Sequence, residues 1–246
     1  MVFSSLTFLF VFLPTALGLY YLVPRRMTNV VLWVFSLFFY AWGEPLYVLL
    51  MFATIAVEYL LTRWMDNAST GTLRRGICAI ALIFALGLLG FFKYADFIVS
   101  NLNALGLGIA LPLRHLALPV GISFYTFQLV SYVIDVYRKE VPAQRSFLVL
   151  GTYICMFPQL VAGPIVRYET LREQLECPGK RTYAFCSGAR RLVLGLAKKV
   201  LLANVLGELA AKINALEKSS TLSFWLLAVT FTLQLYLDFS AYSDMA

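Results

Sequence analysis

The stretch LYLDFSAYSDMA, Leu235 to Ala246, sets Asp238, Tyr242, Ser243 and Asp244 at the end of a long apolar run. Hydroxyls and carboxylates in that setting are costly, and an ionisable group in or beside a membrane-type span is a functional candidate by default. Asp238 also closes a stripe. Thr230, Gln234 and Asp238 stand at i, i+4 and i+8, which is one face of a helix. A second stripe, Gln128, Ser131 and Asp135, recurs at i, i+3 and i+7. Each stripe is expected to point into a helical bundle, with Gln128, Ser131 and Thr230 as hydrogen-bond partners between helices and Asp238, together with Asp244, as functional groups. His115, the one histidine, is the residue type suited to base chemistry near neutral pH. It lies in LPLRHLALP, between two prolines, and reads as a loop residue.

The elements that must carry these residues are apolar. Hydrophobic residues make up 61% of the 246 and charged residues 13%, with a mean hydropathy of +0.78. Soluble domains are about 45–50% apolar and about 25% charged, so this chain cannot cover a globule with polar surface. A membrane protein is the consequence. The net charge of +7 sits in short Lys/Arg clusters between apolar runs, with the aromatics inside the runs. That is the pattern of basic cytoplasmic loops, not of a nucleic-acid face, and no nucleic-acid partner is expected. Cys78, Cys155, Cys177 and Cys186 form no C-x-x-C pair, so neither a metal site nor a disulfide framework is indicated. Cys78 and Cys155 read as small packing residues. Cys177 and Cys186 flank a basic loop and read as ordinary loop cysteines, with lipidation the less favoured alternative.

The runs at about 3–23, 29–42, 45–62, 76–92, 119–137 and 221–239 read as spans. The first has no basic leader and is too long for a signal-peptide core, so it is retained. Gly43-Glu44-Pro45 makes a tight hairpin between the second and third. Arg25, Arg26, Arg63, Arg74, Arg75, Arg138, Lys139 and Arg145 fall on one side if the N-terminus is outside, in line with the positive-inside rule. The 147–163 run is interrupted at Pro158 and reads as broken or re-entrant, a path tolerated only inside protein. Around 185–207, Arg190-Arg191 and Lys198-Lys199 stand eight residues apart on nearly one face, which suggests an interfacial helix on the anionic cytoplasmic leaflet. The fold class is therefore all-α, a polytopic transmembrane helical bundle with short, broken and interfacial helices.

Four blocks in order, FYAWGEPLYVLL (Phe39–Leu50), SFYTFQLVSYVIDVYR (Ser123–Arg138), FPQLVAGPIVRY (Phe157–Tyr168) and LDFSAYSDMA (Leu237–Ala246), resemble successive blocks of the membrane-bound O-acyltransferase family, in particular its alginate-acetylating bacterial polysaccharide branch. The resemblance implies a multi-pass enzyme of the bacterial inner membrane. It would pass an acyl group, most simply acetyl, from a cytoplasmic thioester such as acetyl-CoA or an acyl carrier protein toward an extracytoplasmic polysaccharide. Periplasmic acetylation proteins would assist, and neither a bound cofactor nor a metal is implied. By the same resemblance, Gln234, Asp238, Tyr242, Ser243 and Asp244 lie near the active centre. Gln159, Gly163, Pro164 and Arg167 shape a tunnel or its cytoplasmic mouth, where Arg167 meets a donor phosphate or simply fixes topology. Ala241 stands where the family more often has glycine.

The family's catalytic histidine belongs to a later helix, after a Trp-Arg-Arg-Trp-His-like block, and nothing aligns His115 with it. Acyl transfer to a sugar hydroxyl needs a base and donors for the developing oxyanion, and an ordinary carboxylate, with a pKa near 4, is a feeble base. The expectation is an N-terminal part of one such domain, 1–246, inactive alone, with the histidine beyond Ala246. Two other classes remain open: a transporter or channel, since broken helices and intramembrane acids suit one, and a non-catalytic membrane scaffold.

Overall fold

The computed structural model describes residues 3, 5–104, 118–160, 166–177, 179, 182–216 and 220–245. His115, Gly163 and Pro164 lie outside the described residues. Among those described every regular element is a helix: a π turn, Phe8–Phe12, leading into α1 (Leu13–Leu22), then α2 (Thr28–Gly43), α3 (Tyr47–Asp66), α4 (Gly71–Ala104), α5 (Ile122–Arg138), α6 (Phe147–Cys155), α7 (Phe157–Leu160), α8 (Tyr168–Glu176), α9 (Thr182–Ala197), a second π turn at Lys198–Ala203, α10 (Asn204–Asn214) and α11 (Thr221–Met245), with one 3-10 turn at Arg25–Met27. Three of these, α3, α4 and α11, are long and apolar enough to cross a membrane. The helices gather into two compact units.

The larger unit holds α2 to α8, and its centre is aromatic and tightly closed. Tyr125, Tyr132, Tyr153, Met51, Ile55, Leu129 and Leu150 are all at most 1% exposed. Polar side chains tie the turns to this core. Asn29 Nδ2 donates to Leu175 O at 2.6 Å, Thr152 Oγ1 to Asn29 O, Gln144 Nε2 to the Tyr168 hydroxyl at 2.6 Å, and Tyr153 to Val166 O. Burial pushes the Tyr168 phenol above its ordinary pKa, so this hydroxyl stays neutral. Two turns are set by backbone chemistry. Gly121, at φ +76°, opens α5 with its Cα against Leu160, where an added Cβ would lie 2.6 Å from the Leu160 carbonyl oxygen. Lys139, at φ +65°, closes α5 with Lys139 N–H on Val136 O and Glu140 N–H on Asp135 O, a Schellman ending in which glycine is the usual residue.

Two sequence expectations meet a different local outcome. The interruption of 147–163 falls at Met156, two residues before Pro158. A continuing helix would drive the Pro158 ring into the Ile154 carbonyl, so α6 stops early and Phe157 N–H turns to Ser36 Oγ. Residues 93–104, which fall between the runs expected at 76–92 and 119–137, continue α4. The segment FKYADFIVSNLNA contains neither Pro nor Gly, and nothing in it stops propagation of a helix already formed.

The smaller unit holds α1, the long helix α9–π–α10, and α11, the last two antiparallel. Small residues permit their close approach. A Cβ on Gly195 would lie 2.7 Å from the Ala241 carbonyl oxygen, and one on Gly207 would lie 2.8 Å from Gln234 Nε2. Ala241 itself is fully buried. The Phe3 ring packs 5.1 Å from Tyr242, and Tyr21 meets Phe185 edge-on.

Candidate functional site

The polar residues of α11 lie against the helix that precedes it. Lys199 Nζ stands 2.6 Å from Asp238 Oδ1, and Lys198 Nζ stands 2.5 Å from Asp244 Oδ2 and 3.1 Å from Ser240 Oγ. Thr230 is buried, Gln234 packs on Gly207, and Tyr242 and Ser243 are half-buried. The stripe seen in the sequence thus faces protein along its whole length. Both lysines open the π turn Lys198–Ala203, and their long side chains each reach a carboxylate of α11. Arg190 and Arg191 remain exposed.

Chemically, this arrangement offers charged donors and acceptors in one place: two ammonium groups, two carboxylates and a hydroxyl. Ammonium donors are of the kind that hold a developing oxyanion, and the carboxylates are of the kind that orient a hydroxyl or an imidazole. No imidazole occurs among the described residues.

The remaining predicted residues that the structure describes lie in the larger unit. Gln128, of the second stripe, is buried and donates to Gln159 Oε1 at 3.0 Å. Asp135 is 2% exposed, with Oδ2 lacking a partner. Arg167 pairs with Glu140 at 3.8 Å and is largely exposed. One group the sequence reading passed over is Glu58. It is fully buried in α3, neither carboxylate oxygen has a hydrogen-bond partner, and Thr54 and Thr62 lie one turn to either side, both buried. The signal was available. Glu58 is an acid in the middle of the apolar run 45–62, and it meets the criterion applied to Asp238.

Apolar helices of spanning length, with their acidic side chains turned onto neighbouring helices, define an all-helical membrane protein. The family model for the membrane-bound O-acyltransferase family, MBOAT, matches residues 138–246. Over its whole length the chain is 40% identical to "Probable alginate O-acetylase AlgI" of Pseudomonas aeruginosa, of which it covers 48%, and 40% identical to the protein of the same name in Azotobacter vinelandii, of which it covers 50%. It is 30% identical to "Peptidoglycan O-acetyltransferase" of Helicobacter pylori, of which it covers 53%. The chain belongs to the membrane-bound O-acyltransferase family. It spans about half the length of the curated relatives it matches.

Proposed function

We propose that this chain is the N-terminal part of an inner-membrane O-acetyltransferase that moves an acetyl group from a cytoplasmic thioester, acetyl-CoA or an acyl carrier protein, toward an extracytoplasmic polysaccharide such as alginate. The observation that carries the reading is its 40% identity, along the entire chain, to proteins named for alginate acetylation, with a peptidoglycan acetyltransferase as a more distant relative. The geometry supports it in one respect. The α11 cluster gathers charged donors and carboxylates on an otherwise apolar helix, which is what an acyl-transfer centre in a membrane requires of its surroundings. Asp238 and Asp244 act in this reading as positioning groups for a base contributed by further sequence. Tyr242, Ser243 and Gln234 line the passage beside them.

The test is complementation. The chain is fused to the remaining half of the Pseudomonas aeruginosa relative and expressed in cells lacking that relative. Alginate acetyl content and transfer of label from acetyl-CoA are then measured. Restored acetylation by the fusion, with none from the chain alone, is the expected result. A fusion that reaches the membrane in normal amount and acetylates neither alginate nor peptidoglycan would overturn the proposal.

A further inference from the structure

We infer that the basic cleft at the shared end of α4 and α5 binds the phosphodiester headgroup of an anionic phospholipid. The cleft has a volume of about 650 Å³ and is lined by Gly71, Thr72, Arg74, Arg75, Arg138 and Lys139, with Tyr137 behind them. Its floor is fixed by Arg74, whose side chain is only 11% exposed. That guanidinium donates to the α5 carbonyls of Val136 at 2.5 Å and Tyr137 at 3.2 Å, and it stands 3.9 Å from Asp66. Arg74 is therefore structural. The other three cations form the rim. Arg138 shares Glu140 with Arg167, while Arg75 and Lys139 meet no carboxylate among the described residues. Four cations thus face two carboxylates, and the surplus is concentrated on Arg75 and Lys139. Lys139 also holds a left-handed position where glycine would sit without cost.

Surroundings choose between a lipid and a soluble phosphate, which share the same anionic chemistry. The cleft lies where α3 ends and α4 begins, at the ends of two helices of membrane-spanning length. At that depth a basic pocket between helices meets headgroups. Beside it α4 presents Leu73, Ile80 and Ile83, exposed by 41%, 54% and 72%. Their spacing of seven and three residues makes a stripe running from the cleft toward the apolar middle of the helix. A phosphodiester with an acyl chain satisfies both the cations and the stripe, whereas a free phosphate satisfies only the cations. The distribution of basic residues puts this end in the cytoplasmic leaflet, where anionic lipids add about a Boltzmann factor of five per surface cation.

The experiment uses the full chain reconstituted in nanodiscs of phosphatidylcholine with a minor fraction of phosphatidylglycerol. Phosphatidylglycerol retained after detergent exchange is counted by native mass spectrometry. The variant Arg75→Gln/Lys139→Asn removes both free charges, and asparagine tolerates the left-handed backbone at position 139. Retention is expected to fall about thirtyfold. Arg75→Lys/Lys139→Arg is expected to keep it. Arg75→Gln alone, an exposed change, is expected to weaken retention about fivefold and serves if the double variant does not fold. Unchanged retention in Arg75→Gln/Lys139→Asn overturns the inference, as does an equal loss from Arg25→Gln/Arg26→Gln, which would mean diffuse surface charge. Displacement of the lipid by millimolar inorganic phosphate or pyrophosphate would assign the cleft to a soluble phosphate instead, and would also overturn it. None of these outcomes depends on acetyl transfer.

Discussion

Glu58 and Gly121 are opposite cases of a residue set against its surroundings. Both oxygens of Glu58 are sealed in α3 without a partner, so replacing it with an unbranched apolar side chain removes an unmet hydrogen-bonding need and refills the space. Glu58→Met is expected to raise unfolding stability by about 1–3 kcal/mol, read as a higher midpoint in denaturant titrations in detergent micelles. A lower midpoint would mean the carboxyl serves a partner that binds it. At Gly121 a methyl group meets both a positive φ and the Leu160 carbonyl. Gly121→Ala is therefore expected to cost about 1–3 kcal/mol, with the loss seen in the same titration. Of these two only the acid was visible in the sequence. A glycine before ISFYTF is unremarkable until Leu160 arrives from 39 residues away.

At the scale of elements, the pair formed by α9–π–α10 and α11 depends on matched charges and on the two glycines between them. A double-mutant cycle on Lys199→Met and Asp238→Leu is expected to return a coupling of about 0.5–3 kcal/mol, with either single change worse than the double. Additive effects would show that the ion pair contributes nothing to holding the helices. Gly195→Leu should separate the same helices, and loss of a disulfide cross-link engineered between α9 and α11 would register it. The sequence disclosed much of this arrangement: the period of Thr230, Gln234 and Asp238 fixed which face turns inward. It did not disclose the partner. Lys198 and Lys199, eight residues after Arg190 and Arg191, suggested an interfacial face on the anionic leaflet, and nothing in the residues KKVLLA marks the α11 carboxylates as their partners. The extent of α4 was likewise hidden, since Lys93 and Asp96 look like loop residues although no helix breaker accompanies them.

For the molecule as a whole, composition alone specified helices in a membrane, and positive-inside reasoning specified an orientation. Cysteine labelling checks that orientation. Cys177 and Cys186 are exposed and Cys78 and Cys155 buried. A membrane-impermeant maleimide applied to spheroplasts is expected to leave all four unmodified. After permeabilisation it should label Cys177 and Cys186 alone. Labelling of either in intact spheroplasts would reverse the expected topology. The clustered acids and lysines of the smaller unit and the closed aromatic core of the larger one were legible only in part. Hydrophobic periodicity reports which way a side chain faces, and the neighbour it finds is decided by the path of the chain.

The ammonium–carboxylate clasp has a bearing on how the protein is made. Lys198 and Lys199 leave the ribosome roughly forty residues before Asp238 and Asp244, the groups that neutralise them. During that interval the first arm carries both ammonium groups unpaired, besides the exposed Arg190 and Arg191, all of them charges that the bilayer interior rejects. Lys198 and Lys199 are therefore expected to stay among water or headgroups until the second arm emerges and brings Asp238 and Asp244 to them.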